Sequence, residues 1–235
     1  MVSNWITRQW QGTTLWHVLL IPLSWVFGLV SGLRRALYRR GMLRTKILPV
    51  PVIVVGNISV GGTGKTPLVA WLAQELMARG WHPGVISRGY GGSTHIPQQV
   101  GASSDASHVG DEPVLLAGLL KCPVWVGRDR PAVGRALLIA HPHVDVLISD
   151  DGLQHYRLAR DMEIAVVDGV QGFCNGRLQP AGPLREAVDR LCDVDAIVVN
   201  QPGQLQLDFP SLPPVYSMHM QGTNFVNLAD PSRSV

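Results

Sequence analysis

The amino-acid sequence predicts an α/β fold in which helices flank a doubly wound, mostly parallel sheet. Short apolar, β-branched runs alternate with helix-length segments between residues 50 and 200, and glycine clusters follow several of these runs. The chain of 235 residues is long enough for one sizeable domain of this class, and its 46% hydrophobic content supports a buried core. We therefore expect an α/β domain over residues 47–228, preceded by a separate segment over residues 1–46.

The amino-terminal segment, residues 1–46, combines an apolar stretch with an excess of cations. Residues 16–30 are almost wholly apolar, and the segment holds seven Arg or Lys and no Asp or Glu. This apolar run is shorter than the ~20 residues that cross a bilayer as a helix. Indole rings and arginines suit the headgroup region of a lipid surface, and the segment contains Trp5, Trp10, Trp16 and Trp25. The segment therefore predicts a hydrophobic helix that inserts into the membrane surface, with a helix packed on the α/β domain as the alternative.

Charge and cysteine content narrow the class of protein further. The net charge is +3, but residues 47–235 alone hold 13 basic and 17 acidic side chains. A net charge of −4 over this part argues against a general nucleic-acid surface, so we expect no nucleic acid as a partner. The cysteines, Cys122, Cys174 and Cys192, are widely spaced and form no C-x-x-C pair, which argues against a disulfide framework and a zinc site.

The first predicted strand, residues 51–55, leads through a glycine-rich turn into a helix over residues 65–79. Backbone N–H groups in such a turn can surround an anion, and the helix N-terminus adds its positive dipole end. Lys65 would reach the β- and γ-phosphates of a nucleoside triphosphate, and the Thr66 hydroxyl would ligate Mg²⁺. The loop consists of Ser59, Val60, Gly61, Gly62, Thr63, Gly64, Lys65 and Thr66. Ser59 stands where the usual pattern has glycine, but the loop still predicts a fold of the P-loop NTPase type.

Two stretches carry adjacent carboxylates. The apolar run 144–149 ends in Asp150 and Asp151, which is the pattern of a Walker B element that holds a carboxylate near Mg²⁺. We assign Asp150 to the metal and Asp151 to catalysis, although the pattern leaves the division between them open. Asp111 and Glu112 precede a predicted helix over residues 114–120. Such a pair suits metal and proton chemistry, but acidic residues are also favoured at any helix start by the dipole.

Glycine-rich loops at strand ends supply candidate contacts for a second substrate. Ligands of open parallel sheets collect outside the carboxyl ends of the strands, and Arg88 follows the predicted strand 84–87. Its guanidinium suits a phosphate or an acceptor, although a solvated arginine is equally consistent with the sequence. The candidate substrate residues on such loops are Arg88, Tyr90, Arg128, Asn175 and Arg177.

The remaining elements follow from the same alternation of apolar runs and helical segments. Further strands are predicted over residues 122–127, 163–167 and 196–200, and a further helix up to residue 140. Residues 93–109 are polar and serine-rich, which predicts a mobile loop. Beyond residue 200 the sequence predicts no element.

Five stretches in this order resemble the tetraacyldisaccharide 4'-kinase family: VGNISVGGTGKTP, SRGYG, GDEP, DDGLQH and GRLQPAGPLRE. The resemblance covers roughly residues 15–228. It implies a kinase of lipid A biosynthesis at the cytoplasmic face of the bacterial inner membrane, held there as a peripheral or monotopic protein. Such an enzyme uses ATP and Mg²⁺ to phosphorylate the 4'-hydroxyl of tetraacyldisaccharide 1-phosphate, which gives lipid IVA.

The resemblance also implies roles for single residues. It makes Asp111 the base that takes the proton of the sugar hydroxyl, Glu112 and Thr66 ligands of Mg²⁺, and Asp151 the Walker B carboxylate. The family continues into a carboxy-terminal part with an aspartate-histidine motif, and we expect residues 229–235 to begin that part. The alternative function is a ParA-like or metal-chaperone P-loop ATPase that acts as a membrane-associated switch. The ParA type places a lysine before the glycine pair, where this chain has Val60.

Overall fold

The computed structural model describes residue 10 and residues 15–94, 96–203, 205 and 211–220. The strands are β1 (Val52–Gly56), β2 (Pro83–Ser87), β3 (Gln98–Val100), β4 (Val124–Val126), β5 (Val146–Asp150), β6 (Met162–Asp168), β7 (Ala196–Asn200) and β8 (Val215–Met218). The helices are α1 (Leu15–Arg39), α2 (Lys65–Ala78), α3 (Ala106–Val109), α4 (Asp111–Leu119) and α5 (Arg130–Ala140), and a 3-10 helix spans Val188–Asp193.

The eight strands form one sheet in the order β3-β4-β2-β5-β1-β6-β7-β8. All neighbouring strands are parallel except β3 and β4, which pair antiparallel. Because β5 lies between β1 and β2 and all three strands are parallel, their carboxyl ends lie next to one another. The register sets Val55 of β1 beside Asp150 of β5. This arrangement confirms the predicted α/β class.

The core lies on both faces of the sheet. On one face, α2 and α4 contribute Leu68, Val69 and Leu116, while on the other face α5 contributes Val133 and Leu137. Strands that are covered on both sides need apolar residues at successive positions, which explains the continuous apolar runs in the sequence. Full burial of each such side chain stabilises the fold by about 1.5–3 kcal/mol.

The amino-terminal helix α1 continues past the predicted apolar stretch as far as Arg39. One side of it packs on the domain, where Ser24 is buried and both Arg35 and Arg39 pair with Asp193. Seven apolar side chains on the helix are more than half exposed: Leu19, Leu23, Trp25, Val26, Leu29, Val30 and Leu33. The span Leu19–Arg39 has the length and the mean hydropathy, 1.3, of a membrane-crossing helix, a test that some soluble helices also pass.

Short elements at the periphery are absent from the sequence prediction. The polar stretch 93–109, expected to be a loop, contains β3 and α3, and β8 follows where no element was predicted. Both strands lie at sheet edges and expose most of their side chains, and neither is a continuous apolar run of the kind that a strand buried on both faces shows. An apolar groove of about 870 Å³ lies beside β8, over the sheet face that also carries α2, and Trp71, Ile164, Val198, Tyr216 and Met218 are among its lining residues.

Candidate functional site

The glycine-rich loop leaves β1 and enters α2 in the geometry of an anion-binding turn. Gly61 and Gly64 have φ angles of 125° and 88°, which L side chains rarely adopt. The Asn200 side chain, at the end of β7, donates a hydrogen bond to the Thr63 carbonyl at 3.2 Å. A Cβ on Gly64 would lie 2.6 Å from Asn200 Nδ2, so this glycine permits the close approach. The loop is thus fixed by the end of β7.

The first residues of the loop are bonded to a second loop, residues 178–186. The Val60 N–H donates to the Pro183 carbonyl at 2.8 Å, and Ser59 forms an antiparallel bridge with Leu184. The Arg185 N–H donates to the Ile58 carbonyl at 2.7 Å. Ser59 is not among the described non-glycine residues with positive φ, which explains why serine is tolerated where the usual pattern has glycine.

A cluster of opposite charges lies at the start of α2. Lys65 is 9% exposed, and its Nζ lies 3.7 Å from Asp151 Oδ1. The Arg185 guanidinium donates to both oxygens of Asp151 at 3.0 Å. Burial by itself would raise the pKa of Asp151, but Lys65 and Arg185 outweigh this and hold the pKa below its ordinary value. An ionised Asp151 therefore lies between two cations at the glycine-rich loop.

The neighbouring aspartate, Asp150, has different surroundings. It is fully buried at the end of β5, and Ser87 Oγ lies 3.4 Å from Oδ2. Its Oδ1 has no hydrogen-bond partner among the described residues. Burial raises the pKa of Asp150 to about 6, Arg130 opposes this rise, and the charge of Glu112 adds to it. A buried carboxylate oxygen without a partner is the kind of atom that a bound cation would satisfy.

Arg130 is a buried cation that joins the ends of β2 and β5. Its Nη1 donates to the Ile86 carbonyl at 2.7 Å and to Ser149 Oγ at 3.2 Å, and its Nη2 donates to the Asp150 carbonyl at 2.6 Å. Burial lowers the pKa of Arg130 to about 10, although Asp150 and Asp151 oppose the change. Arg130 therefore stays charged at neutral pH and fixes the strand ends that carry the aspartates.

Asp111 and Glu112 are the first two residues of α4, and both are exposed. The preceding residue, Gly110, has φ 91°, and a Cβ there would lie 2.7 Å from the Tyr90 carbonyl. The turn that carries Arg88 and Tyr90 is therefore in backbone contact with the start of α4. Within the described part of the chain, neither carboxylate forms a hydrogen bond or an ion pair. The start of α4 therefore lies beside the turn that carries Arg88 and Tyr90. The side chains of both predicted motifs are free to contact a ligand.

The candidate substrate residues lie in two kinds of environment. Arg88, Tyr90 and Arg128 are exposed around the strand ends. Asn175 has its side chain turned into its own loop, where it donates to the Ala181 carbonyl at 2.9 Å and accepts from the Arg177 N–H at 3.1 Å. These bonds shape the loop, so a direct contact of Asn175 with a substrate stays a prediction.

Several residues at this site were not singled out by sequence reasoning. Arg130, Arg185 and Asn200 act through contacts with residues far away in the chain, which no local pattern indicates. Gln154 donates to the Asn57 carbonyl and to Glu186, each at 3.0 Å, and so connects the turn after β5 to the end of β1 and to the loop 178–186. Tyr156 also donates to Glu186. Glu186 and Arg185 lie within the stretch that carries the family resemblance, and this was the only available signal for them.

The donor set fits a magnesium ion that is bound together with phosphates. No cluster of three or more His, Cys, Asp or Glu side chains that could hold a metal occurs among the described residues. Mg²⁺ at nucleotide sites typically takes only one or two carboxylates and completes its shell with phosphate oxygens and water. The unpartnered oxygen of Asp150, beside the loop that contains Thr66, agrees with this mode of binding.

Comparisons with known proteins agree with this geometry. The family model described as tetraacyldisaccharide-1-P 4'-kinase matches residues 16–234. Similar curated proteins, both named tetraacyldisaccharide 4'-kinase, come from Azoarcus sp. (strain BH72), 56% identical, and Herminiimonas arsenicoxydans, 54% identical. These matches cover 92% and 94% of this chain, and 63% and 60% of the relatives. The chain therefore spans about three fifths of the length of these curated relatives.

A solved structure has the same fold. It is a crystal structure described as an "apo" form of LpxK from Aquifex aeolicus in complex with ATP, and it is 34% identical in sequence. The superposition has a TM-score of 0.77 and covers 86% of this chain and 64% of that chain.

Proposed function

Because the chain belongs to the tetraacyldisaccharide-1-P 4'-kinase family, we propose that it transfers the γ-phosphate of ATP to the 4'-hydroxyl of tetraacyldisaccharide 1-phosphate, as part of lipid A biosynthesis. The observation that carries the proposal is that three features lie together at the carboxyl ends of the central strands. These are the glycine-rich loop, the aspartates at the end of β5 and the exposed carboxylates of α4. This arrangement supports a site for a triphosphate beside a site for an acceptor.

The loop and its cation would hold the nucleotide. Lys65 is already confined near the loop by Asp151, so its ammonium has little conformational freedom to lose when it contacts the β- and γ-phosphates. Arg185 shares Asp151 with Lys65, which keeps the aspartate ionised. Thr66, Asp150 and Glu112 would hold Mg²⁺, which neutralises charge on the phosphates in kinases.

The acceptor would bind at the start of α4. Asp111 is exposed and has no bond to another described residue, so its carboxylate can accept a hydrogen bond from the sugar hydroxyl and take its proton. Arg88 and Tyr90 lie on the turn that touches Gly110, and they would contact the acceptor or its phosphate. The assignment of Asp111 as the base rests on the family, because geometry alone does not distinguish it from Glu112.

Helix α1 would place the site at the inner membrane, on its cytoplasmic face. Its exposed apolar side chains suit the lipid interior, and the arginines that follow them, such as Arg34 and Arg40, suit anionic headgroups. The alternative expectation, a helix packed on the α/β domain, is also supported, because one face of α1 contacts the domain. Another face of the same helix is exposed. Partial release from membranes by high salt or alkali would favour surface insertion, and full resistance would favour a spanning helix.

The deciding experiment measures whether ATP turnover depends on the lipid acceptor. The protein to assay is this chain, beside a version extended by the carboxy-terminal part of the Azoarcus relative, each given MgATP with and without tetraacyldisaccharide 1-phosphate. We expect a phosphorylated lipid product, and we expect Lys65→Ala to abolish it while the fold stays intact, because Lys65 supplies charge to the phosphates. ATP hydrolysis that ignores the acceptor and yields no phosphorylated lipid would instead support a membrane-associated switch.

A further inference from the structure

The loop 178–186 lies between α1 and the nucleotide-binding loop. On the side of α1, the Ala181 N–H donates to Ser24 Oγ at 2.9 Å. Gly28 approaches the loop so closely that a Cβ there would lie 2.7 Å from Leu178 Cδ1. On the opposite side, Leu184 forms its bridge with Ser59. The same short loop therefore contacts a helix of the amino-terminal segment and the start of the phosphate-binding loop.

The contacts on both sides are buried, which leaves the loop little room to move. Ser24 is 6% exposed, and Ala181 and Leu184 are almost fully covered. A shift of α1 would either leave the Ala181 N–H without a partner or carry the loop with it. Because buried polar groups rarely remain unpaired, the second outcome is favoured. Movement of α1 would therefore reach Val60 and Ser59, which are bonded to Pro183 and Leu184.

The side of α1 that contacts this loop differs from its exposed apolar side. Ser24 and Gly28 are one helical turn apart and face the domain. Leu19, Val26 and Val30, by contrast, are more than half exposed. The helix can therefore engage a lipid surface and the loop 178–186 at the same time.

We propose that Ser24 and Gly28 of α1 are positioning residues for the nucleotide-binding loop, and that they act through the loop 178–186. Seating of α1 against this loop holds Ser59 and Val60 in the arrangement that receives MgATP. When α1 is displaced, MgATP binds more weakly. The inference rests on the proposed function only in taking the glycine-rich loop as a nucleotide site, and it needs no assumption about the acceptor.

Two matched pairs of variants test the proposal. Gly28→Leu places a bulky side chain against Leu178, whereas Gly32→Leu makes the same change on the same helix where no atom lies within 4 Å of a new Cβ. Ser24→Ala removes the acceptor of the Ala181 N–H. Ser31→Ala removes a hydroxyl whose bond, to the Gly28 carbonyl, stays within the helix.

The measurement is the affinity of each variant, in detergent micelles, for the magnesium complex of a non-hydrolysable ATP analogue. We expect Gly28→Leu to weaken binding by about tenfold and Ser24→Ala by about threefold, with Gly32→Leu and Ser31→Ala unchanged within about twofold. Since no acceptor is present, the result stands whether or not the protein phosphorylates a lipid.

A melting temperature for each variant separates positioning from general stability. Weaker binding by Gly28→Leu and Ser24→Ala at a temperature where all variants are folded would support the proposal. Equal affinities within both pairs would overturn it, as would a fall in melting temperature with no change in affinity. If Gly28→Leu does not fold, the serine pair decides alone.

Discussion

The two pairs of adjacent carboxylates at the strand ends have opposite surroundings. Asp150 and Asp151 follow a central strand, are buried and half-buried, and lie among Lys65, Arg130 and Arg185. Asp111 and Glu112 begin a helix at the surface, and their side chains form no hydrogen bond or ion pair within the described ranges. The first pair is therefore part of the scaffold as well as of the site, whereas the second pair is free for a ligand.

This difference separates substitutions that disturb the fold from those that disturb only the chemistry. A buried charge that loses its partners destabilises a protein strongly, since the remaining group stays desolvated. An exposed carboxylate has little to lose on substitution unless a ligand uses it. Predictions for the two pairs can therefore be ordered by size and tested against each other.

The largest effect is expected at the exposed pair. On the proposed assignment of Asp111 as the base, Asp111→Asn should lower the rate of lipid phosphorylation by about 10²–10⁴, the usual contribution of a general base, because the amide cannot take the proton. The affinity for MgATP and the free energy of unfolding should stay nearly unchanged, since Asp111 is exposed. A loss of MgATP affinity as large as the loss of rate would instead make Asp111 a metal ligand.

A smaller effect, on stability, is expected beside the buried pair. Arg130→Lys should reduce the free energy of unfolding by about 2–4 kcal/mol, because an ammonium cannot reproduce the separate bonds to Ile86, Ser149 and Asp150. Urea denaturation measures this change. Arg128→Lys is the matched control, since Arg128 is exposed two residues earlier, and it should change stability by at most about 0.5 kcal/mol. Equal losses in both variants would refute a special role for Arg130.

The buried pair should also give stability a characteristic dependence on pH. The pKa of Asp150 rises from 3.8 to about 6 in the folded protein, so between these values the folded state binds more protons than the unfolded state. Stability should therefore fall as pH rises through this window, and the contribution of Asp150 should be constant above it. The pKa of Asp151 is lowered, so its stabilising contribution is present above 3.8 and is lost at more acidic pH.

The measurement for this pair is the free energy of unfolding against pH in a chelating buffer, for the protein and for Asp150→Asn. Asp150→Asn lacks the titrating group, so its free energy of unfolding should no longer fall as pH rises toward 6. Persistence of the same slope in Asp150→Asn would assign it to another group.

The smallest expected effect is the influence of Glu112, from the exposed pair, on the pKa of Asp150 in the buried pair. The charge of Glu112 raises the pKa of Asp150, so Glu112→Gln should move the window of that slope toward lower pH. Glu75→Gln is the control, since it removes the same charge from the far end of α2, where Glu75 pairs with Arg79. Equal shifts in the two variants would show a general effect of net charge rather than an interaction between the pairs.

Much of the proposed site was predicted from local pattern in the sequence. Lys65 and Thr66 lie in a glycine-rich turn between a strand and a helix, and Asp150 ends an apolar run, so each was predicted from its immediate neighbours. Their proximity could also be expected, because parallel strands end at the same edge of the sheet. The fold class was confirmed for the same reason, since strands buried on both faces are continuous apolar runs.

Other features of the site and the fold depend on contacts between residues that are far apart in the sequence. No local pattern indicates such contacts. Arg130 resembles any arginine at a helix start until β2 and β5 are placed on either side of its guanidinium. Asn200 bonds to the Thr63 carbonyl only because β7 lies two strands away from β1 in the sheet. The short strand β8 escaped prediction because its side chains are mostly exposed and its partner, β7, alone defines it.

The open side of β8 has a practical consequence. It forms one edge of the described sheet, so backbone N–H and C=O groups along it have no neighbouring strand there, and the apolar groove lies next to it. Unpaired strand edges beside apolar surface are the usual starting points of edge-to-edge association. In concentrated solution, the residues around Tyr216 should therefore favour self-association of this chain, in addition to the exposed apolar side of α1.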